Sequence, residues 1–213
     1  MKYSKNKYSV LMIAWALIVS VSFSACEDEN DETTEDDNNA ETWESYDLKA
    51  GTSYDYEFEF TEDNEVTSEG TVTIEVEDPE VTITTTIDGD ETEQTYDSSD
   101  EISQNFISGI EESPVDEFLY QPMWTGAFSD QELETGANWS FSADDGSIYF
   151  EVTGTDSYAD IEGYVIEAEF TDGSETTAMW ETCITHDLPL PLMTWVSDEE
   201  GDHYLIELTS YSD

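Results

Sequence analysis

Few residues in this chain have the types and spacing that chemistry requires. His186 and His203 are the only histidines. Each has an acidic neighbour, Asp187 and Asp202, but neither shows the ligand spacing of a zinc site, which needs three or four converging donors. No Gly-x-Ser-x-Gly elbow presents a serine nucleophile. Asp and Glu together number 54, so some pair falls at a glycosidase separation by chance alone. A solvated acidic surface accounts for them, which places glycosidase last among the readings. No catalytic residue, cofactor or metal site is expected, and the chain reads as a non-enzyme. Cys183 lies near Trp180, Ile184 and Leu188, with no neighbouring cation to lower its pKa, so it reads as a small buried apolar residue. The aromatics are the remaining chemical resource. Trp43, Trp124, Trp139, Trp180 and Trp195 could fill a core or stack on sugars. Trp124 ends the apolar stretch Phe118–Trp124, which fits neither strand nor simple helix. Phe118, Tyr120 and Trp124 are therefore the candidate ligand-binding residues, at the mouth of a pocket.

Cys26 has a different setting. Lys2, Lys5 and Lys7 open the chain, Val10–Val21 is almost wholly apolar, and Ser24-Ala25 are small. The apolar run is short for a transmembrane helix, which needs roughly 20 residues. Basic start, apolar run, small residues and cysteine together resemble a bacterial lipoprotein leader. Phe23 departs from the aliphatic residue usual three before the cysteine. The resemblance implies cleavage after residue 25 and a lipid on Cys26, which leaves Cys183 without a disulfide partner. Glu27-Asp28-Glu29 follow directly. They resemble the signal that sends Bacteroidota lipoproteins to the outer face of the outer membrane, and read equally well as a spacer. The expected address is the cell envelope, lipid-anchored to the outer membrane and either surface-exposed or periplasmic.

All 54 acidic residues follow the leader, and Lys49 is the only Lys or Arg there. Such a surface repels itself. At about 1 M salt the Debye length falls to roughly 3 Å and that repulsion largely vanishes, so a halophilic habitat is expected. Nucleic acid is excluded as a partner, because its binding needs Lys and Arg to displace counterions. Anionic headgroups are excluded as an electrostatic partner for the same reason.

The elements that would position any site are legible from periodicity. Residues 1–25 are the signal peptide. Residues 26–42, without an apolar residue beyond Ala40, form a charged tether expected to be disordered. Residues 43–213 form one β-rich domain. Tyr54, Tyr56, Phe58 and Phe60 alternate with acids, as a half-buried strand does. Val72–Val76 and Val81–Ile87 repeat the device, and Asp88-Gly89 turns the chain into Glu91–Tyr96. Further strands follow at Trp139–Phe141, Ile148–Val152, Tyr164–Phe170, Glu175–Ile184, Leu192–Val196 and Tyr204–Leu208. Nine or ten strands with tight turns predict an antiparallel, all-β fold. Ile102, Phe106, Ile107 and Ile110 break the pattern and predict one inserted helix over Asp100–Glu111, ended by Pro114. The sheet must close on itself, on the helix or on a second sheet, so a strongly curved sheet or half-open barrel is expected, with a β-sandwich as the alternative.

The run from Tyr164 through Thr177–Thr185, His186-Asp187-Leu188-Pro189-Leu190-Pro191-Leu192 and Gly201 to Tyr211 resembles the closing strands of LolA/LolB-like lipoprotein-carrier folds. Leu48–Tyr56 and Leu133–Trp139 are similar to strand openings in that group. The resemblance implies a half-open antiparallel barrel with helices plugging its mouth. LolA-type carriers latch that mouth with an arginine, and this chain has none. The function expected is a lipid-anchored, monomeric envelope protein. It would bind a lipid or other apolar or neutral small molecule in a cavity near the helix and Phe118–Trp124. The alternative is a surface glycan-binding module using exposed Trp and Tyr.

Overall fold

A computed structural model describes residues 48–98, 128, 131, 133–143, 146–172, 175–198 and 201–213. The leader, Cys26 and the tether lie outside these residues. So do the helix expected over Asp100–Glu111 and the three candidate residues Phe118, Tyr120 and Trp124.

The alternating segments form ten strands: β1 (Ser53–Glu62), β2 (Glu65–Val76), β3 (Val81–Ile87), β4 (Asp90–Tyr96), β5 (Asn138–Ala143), β6 (Gly146–Tyr158), β7 (Ile161–Asp172), β8 (Glu175–Ile184), β9 (Met193–Asp198) and β10 (His203–Ser212). They make one antiparallel sheet in the order β4-β3-β2-β1-β10-β9-β8-β7-β6-β5. Two meanders, β1–β4 and β5–β10, are thus joined by pairing of the first and last strands. The strands make one sheet, so the β-sandwich alternative does not describe them. The fold is all-β and open, with β4 and β5 at its ends.

Turn chemistry explains the short connections. Asp63, Asn64, Asp88, Ala159 and Asp160 have positive φ, and Gly89 follows Asp88 with φ of 89°. Consecutive positive φ values give the turn whose twist matches the strands it joins, and Asn, Asp and Gly reach it at least cost.

One face carries the core. Trp139, Phe150, Ala168, Trp180, Val196, Tyr204 and Phe60 stand opposite one another in turn across seven strands. Beside them run Val152, Ile166, Thr182, Thr194, Ile206 and Phe58. Side chains of successive residues point to opposite faces, so this face is set by register alone. Thr182 and Thr194 are wholly buried at its centre, and Thr182 donates to Met193 O at 2.9 Å. The β8–β9 connection also folds onto the buried side. Leu188, Leu190 and Leu192 are buried with Tyr54, Tyr56 and Leu208 in one cluster. Tyr56 donates its hydroxyl to Pro191 O at 3.0 Å.

The hairpin of β6 and β7 bends away from the plane of the sheet. A register shift falls between Val152 and Gly154, where a bulge increases bend and twist. The strand then reaches β10, although three strands intervene in the sheet order. Asp156 O comes within 4.0 Å of Cys183 Sγ. Cys183 pairs with Met193 and Val165 on the face opposite Thr182. Cys183 and Met193 are nonetheless buried in the Leu188 cluster, so the hairpin tip arches over that part of the outer face. Gly163 permits the approach, because a Cβ there would meet Ile184 O at 2.7 Å and Cys183 Sγ at 2.8 Å.

Candidate functional site: an aromatic cluster at the β5 end of the inner face

Four strands and one short segment bring six rings together. β5 supplies Trp139 and Phe141, β6 Phe150, β7 Phe170 and β8 Trp180; Phe128, with helical backbone, packs in from the connection that precedes β5. Phe150 is at the centre. It stacks on Trp139 at 5.3 Å and 10°, and meets Phe128, Phe141 and Trp180 edge-on at 5.8, 6.1 and 6.2 Å. Phe128 in turn stacks on Trp180 at 6.0 Å and meets Trp139 edge-on at 5.9 Å. These offset and edge-to-face arrangements are those ring quadrupoles favour.

The cluster is not uniformly sealed. Phe128, Phe150 and Trp180 are buried, whereas Trp139 on the terminal strand is half-buried. The indole N–H of Trp139 is itself buried and has no acceptor among the described residues. A buried donor without a partner carries a desolvation cost of about 1–3 kcal/mol. The site therefore offers apolar ring surface and the unpartnered N–H of Trp139, at the β5 end of the sheet. Sequence reasoning named Trp139 and Trp180 among the aromatics and missed Phe128 and Phe150 as their partners. Phe150 carried a signal as the middle of an alternating strand; Phe128 carried none.

The remaining chemistry is dispersed. His186 follows β8 and His203 opens β10, so they stand at opposite ends of β9, roughly 17 Å apart at strand rise. His186 lies edge-on to Tyr164 at 6.1 Å, and His203 tilts against Trp195 at 6.1 Å. Among the described residues no group of three or more His, Cys, Asp or Glu is arranged to hold a metal ion. Cys183 is wholly buried, and burial followed by the charge of Asp156 pushes its thiol up to about 12. A thiol so placed is no nucleophile at neutral pH.

The outer face is electrostatically crowded. A groove of about 380 Å³ crosses β2, β1 and β10 there, lined by Glu57, Glu59, Glu69, Glu207, Leu205 and Thr71 with Phe58 and Gly70. Partial burial, then Glu59, Glu57 and Asp156, raise the carboxyl of Glu207 above the ordinary glutamate value. Partial burial, then Glu167 and Asp156, do the same for Glu181.

No protein-family model and no curated protein matches the chain. Solved structures do resemble it at low identity. A chain of the Pseudomonas aeruginosa MucA/MucB complex is 15% identical with a TM-score of 0.42, over 76% of this chain and 52% of that one. A Bacteroides fragilis protein described as exported, with a YmcC-like fold, is 10% identical with a TM-score of 0.35, over 81% and 99%. A Vibrio parahaemolyticus domain described as an outer-membrane lipoprotein-sorting protein is 12% identical with a TM-score of 0.32, over 76% and 84%. The chain spans about half the length of the MucB-containing chains it matches. At such scores these likenesses assign no role to any residue here.

Proposed function

We propose that this chain is a non-enzymatic, lipid-anchored protein of the cell envelope that holds an apolar or neutral ligand against the inner face of its sheet. Trp139 carries the reading: a half-buried ring at the edge of an aromatic cluster, with a buried N–H that has no acceptor among the described residues. A ligand with an apolar body would cover the open part of the ring, and one acceptor oxygen would satisfy that donor once the side chains that bury it give way. A lipid ester or carbonyl has this chemistry. The ligand requires no charge from the protein, in keeping with Lys49 being the sole cation after the leader.

The glycan-binding alternative calls for a flat row of exposed rings. Six Trp and Phe rings gather instead on the inner face, at Phe128, Trp139, Phe141, Phe150, Phe170 and Trp180. On the outer face Trp195 pairs with Leu205 and Glu181, in a different row from Tyr149, which favours the inner-face reading.

The anchor rests on the sequence around Cys26. Its test is metabolic labelling with palmitate. Label in the wild-type chain and none in Cys26→Ser is expected; equal labelling of both would reject the anchor. The ligand site is tested with Trp139→Phe, which keeps a stacking ring and removes the N–H. The fold should be unchanged, and affinity for a fluorescent fatty-acyl ester should fall by the worth of a hydrogen bond, about 0.5–1.5 kcal/mol. Unchanged affinity would remove Trp139 from the site.

A further inference from the structure

An outer sheet face in so acidic a chain would be expected to carry carboxylates throughout, yet its centre is apolar. Met179 and Tyr149 are 44% and 41% exposed, among the few large apolar side chains of the described residues so open to water. Glu169 stands opposite both of them, on the strand between theirs. Trp195 and Leu205, half-buried, are paired directly across β9 and β10 in the adjoining row. That second row runs Glu167, Glu181, Trp195, Leu205, Glu59, Glu69. Carboxylates thus flank the apolar centre at both ends, and the acidic groove with Glu57 and Glu207 continues from it.

The tip of the β6–β7 hairpin already covers the part of this face over Cys183 and Met193 and brings Asp156 near Glu181 and Glu207. Charge decides what can cover the open remainder around Met179, Trp195 and Leu205. The chain's own tether, from Glu27 to Glu41, is dense in acid, and a second copy brings the same surplus of carboxylate. Either would set like charge against like at close range, which is costly. A cationic surface would instead meet the carboxylates of Glu57, Glu59, Glu167 and Asp156, whose charges, after partial burial, raise Glu181 and Glu207. We infer that the part of the outer face of β8, β9, β10 and β1 left open by the hairpin is a docking surface for a basic amphipathic segment of another protein. The segment's apolar side chains cover Met179, Trp195 and Leu205, and its Lys or Arg side chains meet Glu59, Glu181 and Glu207. This site lies on the face opposite the proposed ligand site and does not depend on it.

The test is titration of the full chain with an amphipathic Lys/Leu peptide at moderate salt, followed by tryptophan fluorescence. Met179→Lys places a cation in the exposed centre and should weaken binding about tenfold. Glu93→Lys, the same kind of charge change on the exposed terminal strand β4, should leave it nearly unchanged. If Met179→Lys proves unstable by circular dichroism, Glu59→Lys, which reverses a carboxylate the segment's cations meet, replaces it with the same expectation. Equal weakening by the central and β4 variants would reduce the effect to general attraction and overturn the inference. Failure of the wild-type chain to bind, as when a segment of its own covers the face, would also overturn it.

Discussion

Phe150 is the residue on which the inner face depends most. It is wholly buried and contacts four other rings. Removing its ring leaves a cavity that the surrounding strands cannot fill, so Phe150→Ala should cost about 3–5 kcal/mol. Urea unfolding would measure it; a loss below that of an ordinary surface substitution would mean the cluster is loosely packed. Trp139 differs from Phe150 in kind. Its half-burial and unpartnered N–H make it a poor structural residue and a good contact for a ligand. The same alternation announced both rings in the sequence, because periodicity reports which face a side chain takes and not whether its polar atom is satisfied.

At the scale of elements, the hairpin of β6 and β7 shows what periodicity leaves out. The strands around Ile148–Val152 and Tyr164–Phe170 were legible as alternating runs. Their extension through Thr153–Ser157 and Ile161–Gly163 was not, since that stretch of β6 carries no large apolar side chain. The backbone there is held by cross-strand pairing and by the turn at Ala159-Asp160. Its bend needs small residues at two places for different reasons. Gly163 is in tight contact, so Gly163→Ala should overpack the junction with Ile184, Cys183 and Leu192 and cost about 1–3 kcal/mol. Gly154, where a Cβ would meet nothing within 4 Å, should accept alanine with little change in Tm. Equal effects at the two sites would contradict the arched hairpin. The β8–β9 connection was legible only as a Leu-Pro run; its packing on Tyr56 needed the register of β1 and β10.

The whole molecule combines an ordinary core with an extraordinary surface. Strand number, order of turns and the all-β class could be read from alternation and from Asp-Gly and Asn-containing turns. Closure through β1 and β10 could not, because pairing of the first and last strands leaves no local signature. Nor was the apolar centre of the outer face expected, since it comes from single residues on different strands. The charge has two consequences. Screening should raise Tm steadily from low to molar salt, and a melting curve unchanged by salt would reject the halophilic reading. Acid should also stabilise at first. Glu181 and Glu207 have folded pKa values above the ordinary 4.5, so their folded forms take up protons before their unfolded forms do. Their contribution to stability is complete below 4.5 and is lost as pH rises through the raised values. Tm at low salt should therefore increase as pH falls from neutrality toward 4.5. Glu181→Gln with Glu207→Gln should flatten that rise, and an unaltered slope would place the crowding elsewhere.

Native mass spectrometry of the full chain released from its own envelope in mild detergent tests the central claim most directly. The predicted result is a protein mass raised by the anchor and by one further lipid or neutral molecule, with that second increment lost in Trp139→Ala while the anchor stays. A mass raised by the anchor alone, in wild type and variant alike, would contradict a ligand held on the inner face.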